Sequence, residues 1–364
     1  MRLPNPTIVI LAYNILLFAF SSGMLLLWWK RSARVSFPSF LLSFAALVVI
    51  SVVSALVSPI VRFGRVQLLA WAVFLHYPLF FLAGTYRFFP ERRRFALGCA
   101  AVAAVILLIC VDAFLIEPHW LEVSHVQLSS PEVETSFRIA VIADLQTDAP
   151  GWYEERVLKR VHDEAPDLIL FVGDYLDVDG PERYARMSRR LNGILREAEL
   201  DAPFGMYAVP GNVDWPGRWQ GIFAGLSVRT FERSATVDLG PFALTGLTLR
   251  DSADRHLAVD EAEGFHIVVG HSPNFSLGRV DAELLVAGHT HGGQVQLPVI
   301  GPLVTLSAVP RSWASGVTEI EPGKTLVVPR GIGMERGNAP RMRFLCRPQL
   351  VILELVPDET GLEG

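Results

Sequence analysis

DLILFVGD, residues 167–174, sets five apolar residues in a row and stops at a Gly-Asp pair. So short an apolar run, closed by a glycine and an acid, reads as a strand that leaves the core at its end. Its neighbours decide the fold. FRIAVIAD (137–144) precedes it as another strand, with the amphipathic stretch WYEERVLKRVHDEA (152–165) between the two. PERYARMSRRLNGILREAEL (181–200) follows as a second helix and FGMYAVPGN (204–212) as a third strand. The order is βαβαβ, the signature of an α/β sheet. Farther on, FALTGLTL (242–249), GFHIVVGHSP (264–273), ELLVAGHTH (283–291), KTLVVPRGIG (324–333) and QLVILEL (349–355) add strands with shorter helices and more direct links. The expectation is two mixed sheets packed face to face with helices outside, in one domain over 121–364. Residues 121–136 serve it as a linker and edge segment.

Upstream the composition changes. The whole chain is 51% hydrophobic and 19% charged, against about 25% charged for an ordinary globular protein. The apolar excess lies in 1–120, in the stretches 7–29, 37–61, 66–86 and 95–116. Each is long enough to cross a hydrocarbon layer of about 30 Å at roughly 1.5 Å per residue. Four of them so close together leave no amphipathic element to cover them. Residues 1–120 therefore read as a transmembrane region of four helices, the third interrupted by His76 and Pro78. The first is too long for a typical signal-peptide core and lacks a small-x-small cleavage site, so it reads as retained.

The short loops suggest a topology. Lys30, Arg31 and Arg34 lie between the first two spans, and Arg87, Arg92, Arg93 and Arg94 between the last two. The opposite side has Arg2, Arg62 and Arg65. Basic loops favour the cytoplasm, so a multi-pass protein of the cell membrane is expected, with its C-terminal domain outside the cytoplasm. Asp112, close to a span end, is the one charge in the first, second or fourth span, which gives little support to a transporter or receptor. Cys99 and Cys110 fall in the fourth span and Cys346 stands alone, so there is no disulfide framework and no cysteine zinc site. The net charge is −5, with no basic patch interleaved with aromatics, which argues against nucleic acid as a partner.

The strand ends carry the chemistry. They finish at Asp144 with Gln146 two further on, at Asp174, at Asn212 with Asp214 following, at His271, and at His289 and His291. Ligands of α/β sheets bind beyond the carboxyl ends of the strands, so these tips should converge on one rim. Any one of them alone is more often a turn residue or a helix cap. Together they supply the mixed oxygen and imidazole ligands that Mn, Fe, Zn, Ni or Co prefer.

At this point the chain resembles the calcineurin-like metallophosphoesterases, in the branch with N-terminal transmembrane helices. The resemblance rests on Asp144 for D-x-H, Gly173-Asp174 for G-D, and Gly211-Asn212-Val213-Asp214 for G-N-H-D. Gly270-His271 gives the fourth block and Gly288-His289-Thr290-His291 gives G-H-x-H, continuing as GHTHGGQ. It implies a four-layer αββα sandwich and two divalent metal ions, one held by Asp144, Gln146, Asp174 and His291. The other would be held by Asp174, Asn212, His271 and His289, with Asp174 bridging. Two such ions clamp a phosphoryl group and activate a water for in-line attack. Asp174, Asn212, Asp214 and His289 are then the expected catalytic set.

Two family histidines are missing, replaced by Gln146 and Val213. Gln146 offers only a neutral amide oxygen, which weakens the first metal position or biases it toward Mn and leaves a one-metal site open. Val213 can neither protonate a leaving group nor stabilise phosphate charge, a role worth about 10²–10⁴-fold. Three readings follow. Another acid such as Asp148 or Asp251 substitutes; the substrate has a good leaving group, such as a nucleotide or pyrophosphate; or the domain is a catalytically weakened metal-binding or sensory module. The membrane region favours a substrate at the bilayer surface. The branch includes a UDP-diacylglucosamine pyrophosphatase of lipid A synthesis, which implies a lipid-linked phosphoester or pyrophosphate. That cytosolic nucleotide-sugar pool fits poorly with an external domain. Trp152, Trp215 and Trp219 are expected in rim loops, packed over loop cores or dipping into headgroups.

Overall fold

The computed structural model describes residues 5–30, 37–60, 63–302 and 304–358. Arg2, Arg31, Arg34 and Arg62 of the loop charges, Val61 of the second apolar stretch, and residues 359–364 lie outside the described residues. The chain forms two compact units: Met1–Leu115 with Gly337–Arg341, and Ile116–Arg336 with Met342–Gly364.

Toward the N-terminus, α1 (Pro6–Lys30), α2 (Phe37–Val57) and two further helical stretches, Phe63–Phe88 and Arg93–His119, are each long and apolar enough to cross a membrane. Their outward side chains include Leu11, Leu42, Leu56 and Leu108, all exposed. The third stretch is α3 (Phe63–Trp71), a π-turn at Ala72–His76 and α4 (Tyr77–Phe88). Pro78 explains the turn: it brings no N–H and its ring crowds the carbonyl four residues back, so the helix widens there instead of breaking. His76 is buried, and its Nε2 meets Asn14 Oδ1 at 2.8 Å, which satisfies both polar groups. The fourth stretch begins as α5 (Arg93–Val111).

The second unit is built on two six-stranded sheets. The first contains β1 (Glu122–Ser130), β2 (Phe137–Ile142), β3 (Leu168–Phe171), β4 (Met206–Ala208), β5 (Val228–Thr230) and β16 (Gln349–Pro357), in the order β1-β16-β2-β3-β4-β5. The second contains β6 (Ala235–Asp238), β7 (Phe242–Gly246), β9 (Phe265–Val269), β11 (Leu284–Val286), β14 (Gly316–Glu321) and β15 (Lys324–Val328), in the order β14-β15-β11-β9-β7-β6. Two short pairs, β8 (Ala258–Val259) with β10 (Arg279–Val280) and β12 (Gln296–Leu297) with β13 (Gly301–Pro302), lie apart. Strands β2 to β5 run parallel, as do β7, β9, β11 and β15.

Period-two alternation builds the layers. From β2, Ile139 and Val141 face the other sheet and pack with Leu168, Leu170, Ile267, Val269, Leu284 and Val286. Ala140 and Ile142 face outward and meet the apolar stripes of α6 (Trp152–Asp163) and α7 (Pro181–Glu197), through Val157, Leu158, Val161, Leu191 and Leu195. Burying both faces explains why strands such as LILF are apolar throughout. The outer face of the second sheet is covered by short pieces, α8 (Leu249–Ala253) and the turn Pro273–Leu277, so its helical layer is thinner than a four-layer sandwich implies.

Candidate metal centre

Asp144, Asp174, Asn212, His271 and His289 each lie two to four residues beyond the end of an apolar strand, and the loops that carry them lace together. The amide of Asp144 donates to Gly173 O at 3.2 Å, that of Gln146 to Asp174 O at 2.7 Å, and that of Gly288 to His271 O at 2.9 Å. Asp144 Oδ1 in turn accepts the amide of His289 at 2.9 Å. This lacing holds Asp144, Gln146, Asp174, His289 and His291 in left-handed backbone conformations, with φ of 52°, 30°, 54°, 71° and 49°. Such a conformation costs roughly 1–2 kcal/mol at a residue with a Cβ. Strain of this kind gathers where side chains are aimed for a purpose.

Two groups of ligand-type atoms result, one of Asp174, His271 and His289, the other of Asp144, Asp174 and His291, with the atoms of each within 4.8 Å of one another. Asp174 belongs to both. His271 Nδ1 lies 2.9 Å from the carbonyl of Val172 and must donate to it, so Nε2 is the ring nitrogen that faces the site. That Nε2 faces two more acceptors, Asn212 Oδ1 at 3.0 Å and Asp174 Oδ2 at 3.2 Å. Three acceptors converging on one point need a proton or a cation among them. Both ring nitrogens of buried His291 and the amide oxygen of buried Gln146 lack a protein partner. Carboxylate, amide and imidazole donors in this arrangement fit Mn, Fe, Co, Ni or Zn.

Close backbone approach is built in. A Cβ on Gly211 would collide with the amide and carboxylate of Asp174. At Gly331 (φ 71°) it would come within 2.9 Å of Asp144 Cβ. The centre opens on one side only: Asn212 is exposed and His289 half-buried, whereas Asp144, Gln146, Asp174, His271 and His291 are buried.

The side chains perturb one another strongly. Burial would lower His271, but the facing carboxylates of Asp174 and Asp144 raise it to about 10. Burial raises Asp144 to about 7 despite His271. Asp174 ends below its ordinary value because, against burial, His271 stabilises its charge. Burial, reinforced by the charge on His271, lowers His289 to about 4, and burial with Arg343 lowers His291.

His289 and His291 belong to different groups, and both lie in the loop beyond β11, which stops at Val286, on left-handed backbone. Asp214 is taken up by backbone groups: its Oδ2 accepts the amides of Asp174 (2.8 Å) and Gly211 (2.7 Å), and its Oδ1 that of Tyr175 (2.9 Å). Of the two suggested replacement acids, Asp148 is paired with Arg183 at 3.4 Å and Arg336 at 3.6 Å, and Asp251 accepts from Ser234 Oγ and donates its amide to Thr248 Oγ1, the N-cap of α8. Of the tryptophans, Trp219 and Trp215 stack on Tyr175 and Tyr184, with ring centroids 5.8 and 5.0 Å apart, while Trp152 is exposed.

The structure adds residues that sequence reasoning missed. Asp177 and Glu335 reach the Gln146 amide, each at 3.3 Å. Burial and the charge of Asp174 raise Glu335 to about 7. Arg343, fully buried, donates to the carbonyls of Arg330 (2.8 Å), Gly331 (3.2 Å), Gly333 and Cys346 (2.9 Å), and so fixes the glycine loop behind Asp144. The only signal for this loop was the glycine pair in KTLVVPRGIG, with nothing to assign it a target.

Residues 137–293 match the family of calcineurin-like phosphoesterases. The chain is similar to the uncharacterized metallophosphoesterase YkuE of Bacillus subtilis, at 29% identity over 66% of this chain and 87% of that protein. It is also similar to the phosphodiesterase YaeI of Escherichia coli, at 26% identity over 66% of this chain and 90% of that protein. An uncharacterized metallophosphoesterase of Aquifex aeolicus is 28% identical over 61% of this chain and 85% of its own length.

Proposed function

Because residues 137–293 carry a calcineurin-like phosphoesterase domain, we propose that this chain is a membrane-anchored, metal-dependent phosphoesterase that hydrolyses a phosphodiester or pyrophosphate bond. The observation that carries the reading is the convergence of His271 Nε2, Asp174 Oδ2 and Asn212 Oδ1, with Nε2 3.2 Å and 3.0 Å from the two oxygens, on a point that takes a proton or a cation. Asp144, Gln146, Asp174 and His291 would hold one divalent ion, and Asp174, Asn212, His271 and His289 the other. Bound there, such ions polarise a phosphoryl oxygen and bring the pKa of a water toward neutrality.

The chain's own residues set the rest. Asp174 serves both groups and is held by the amide of Val213 at 2.9 Å and by Asp214 through its own amide. Asn212 and His289, on the open side, are placed to meet the phosphate. Val213 provides no proton, so the preferred bond has a leaving group that departs as an anion, such as a nucleoside phosphate or an aryl oxide. The name of the E. coli relative, a phosphodiesterase, supports a diester. The four apolar helices favour a substrate in the bilayer surface, hence a lipid-linked one, and the basic loops favour an outside position for the domain.

The test uses the full chain in detergent. Metal analysis should find divalent ions, and bis-p-nitrophenyl phosphate should be hydrolysed with Mn²⁺ present and not after chelation. Asp174→Asn should abolish turnover. Val213 also favours a second reading, a metal-binding sensory domain, and bound metal with no turnover on aryl, nucleotide or lipid-linked phosphates would establish it.

A further inference from the structure

We propose that Asp177 and Glu335 are positioning residues for Gln146, holding its amide so that the oxygen rather than the nitrogen is presented to the cation site of Asp144, Asp174 and His291. This rests on the metal-centre reading above and goes beyond it, since neither carboxylate belongs to either ligand group.

An amide side chain has two donors on nitrogen and two lone pairs on oxygen, and it can turn either end forward. Gln146 is fully buried, and its Nε2 lies 3.3 Å from Asp177 Oδ2 and 3.3 Å from Glu335 Oε2. Nε2 can only donate, so each carboxyl oxygen facing it accepts and the pair takes both N–H groups. The reversed rotamer would set an oxygen against two carboxylates. The oxygen is thereby turned away from them, and it has no protein partner.

The backbone of Gln146 is fixed as tightly. Its amide donates to Asp174 O at 2.7 Å, and its carbonyl accepts from Arg336 Nε at 2.9 Å. The loop that delivers Glu335 is docked on the same segment. Gly333 N donates to Asp144 O at 2.7 Å, and Glu335 N to Gln294 Oε1 at 2.6 Å. Donating both N–H groups to anions also drives electron density toward the carbonyl oxygen, which strengthens a neutral ligand. Two carboxylates thus compensate for the histidine that this position lacks, and the hard amide oxygen directs the site toward Mn²⁺.

The experiment is Mn²⁺ binding to the full chain in detergent, followed by calorimetry and by the electron spin resonance of free Mn²⁺, without substrate. Glu335→Ala and Asp177→Ala should each weaken the Gln146-dependent Mn²⁺ by about 10–100-fold. Glu335→Gln, whose amide oxygen still accepts, should keep most of the affinity and controls for folding. In a Gln146→Ala background, Glu335→Ala should cost nothing further. An equal loss in that background would overturn the proposal, because Glu335 would then act directly or only structurally. Unchanged affinity in Glu335→Ala would overturn it as well. If the intact chain binds no Mn²⁺ at all, the metal-centre reading fails and this inference with it, whereas intact binding with no Glu335 effect removes this inference alone.

Discussion

Asp214 Oδ2 accepts the backbone amide of Asp174 at 2.8 Å, across forty positions of sequence. One carboxylate therefore sets the backbone of the residue shared by both ligand groups, and with Gly211 and Tyr175 it satisfies three buried N–H groups. Asp214→Asn would turn an NH₂ toward at least one of those donors. Leaving a buried donor unsatisfied costs about 1–3 kcal/mol. Thermal unfolding should show that loss, with activity recovering in excess Mn²⁺. A turnover defect that saturating Mn²⁺ leaves untouched would give Asp214 a chemical role instead.

Val213 predicts a dependence on the leaving group. Val213→His should leave bis-p-nitrophenyl phosphate nearly unchanged, since p-nitrophenolate departs without a proton. On an alkyl phosphodiester the same variant should be faster, by up to about 10²-fold. Steady-state rates on the two substrates check it, and equal effects on both would show that protonation is not what residue 213 controls.

The titration shifts predict how metal and pH interact. Asp144, raised to about 7, and His271, raised to about 10, bind protons more tightly folded than unfolded. Their contribution is complete below their ordinary values of 3.8 and 6.5 and is lost as pH rises through about 7 and about 10. His289, lowered to about 4, has the opposite sign, its contribution present above 6.5 and lost as pH falls through about 4. Chelated protein should thus lose stability from pH 6 to pH 9. A cation that replaces the two protons should raise Tm more at pH 9 than at pH 6, measured by differential scanning fluorimetry.

Gly211 predicts a steric limit. Gly211→Ala must push a methyl group against the amide and carboxylate of Asp174. The expected loss is about 3 kcal/mol of stability, together with metal binding, read by denaturant unfolding and by metal content. Normal metal content in that variant would contradict the close approach.

Much of this centre was legible because its parts end strands. Asp144, Asp174 and His271 follow apolar runs whose period and length betray them, and parallel order sends such ends to one rim. The loop residues were not legible. Glu335 meets Gln146 from 189 positions away, along a loop with no periodicity, and local sequence holds no record of so distant a contact. Asp214 shows the converse: its place in the motif was plain, but its partners are backbone groups, which have no letter in a sequence. His289 and His291 stand beyond the end of β11 at left-handed φ angles, which pattern reading does not see.

The placement of β16 between β1 and β2 has a consequence for biosynthesis. The strand that leads to Asp144, β2, pairs on one side with β3 and on the other with Val351–Leu355 of β16, so its sheet remains open there until those residues have been made. The Glu335 loop is made after the apolar helices and before β16. A nascent chain stalled before residue 349 should therefore leave the β2 edge of that sheet unpaired.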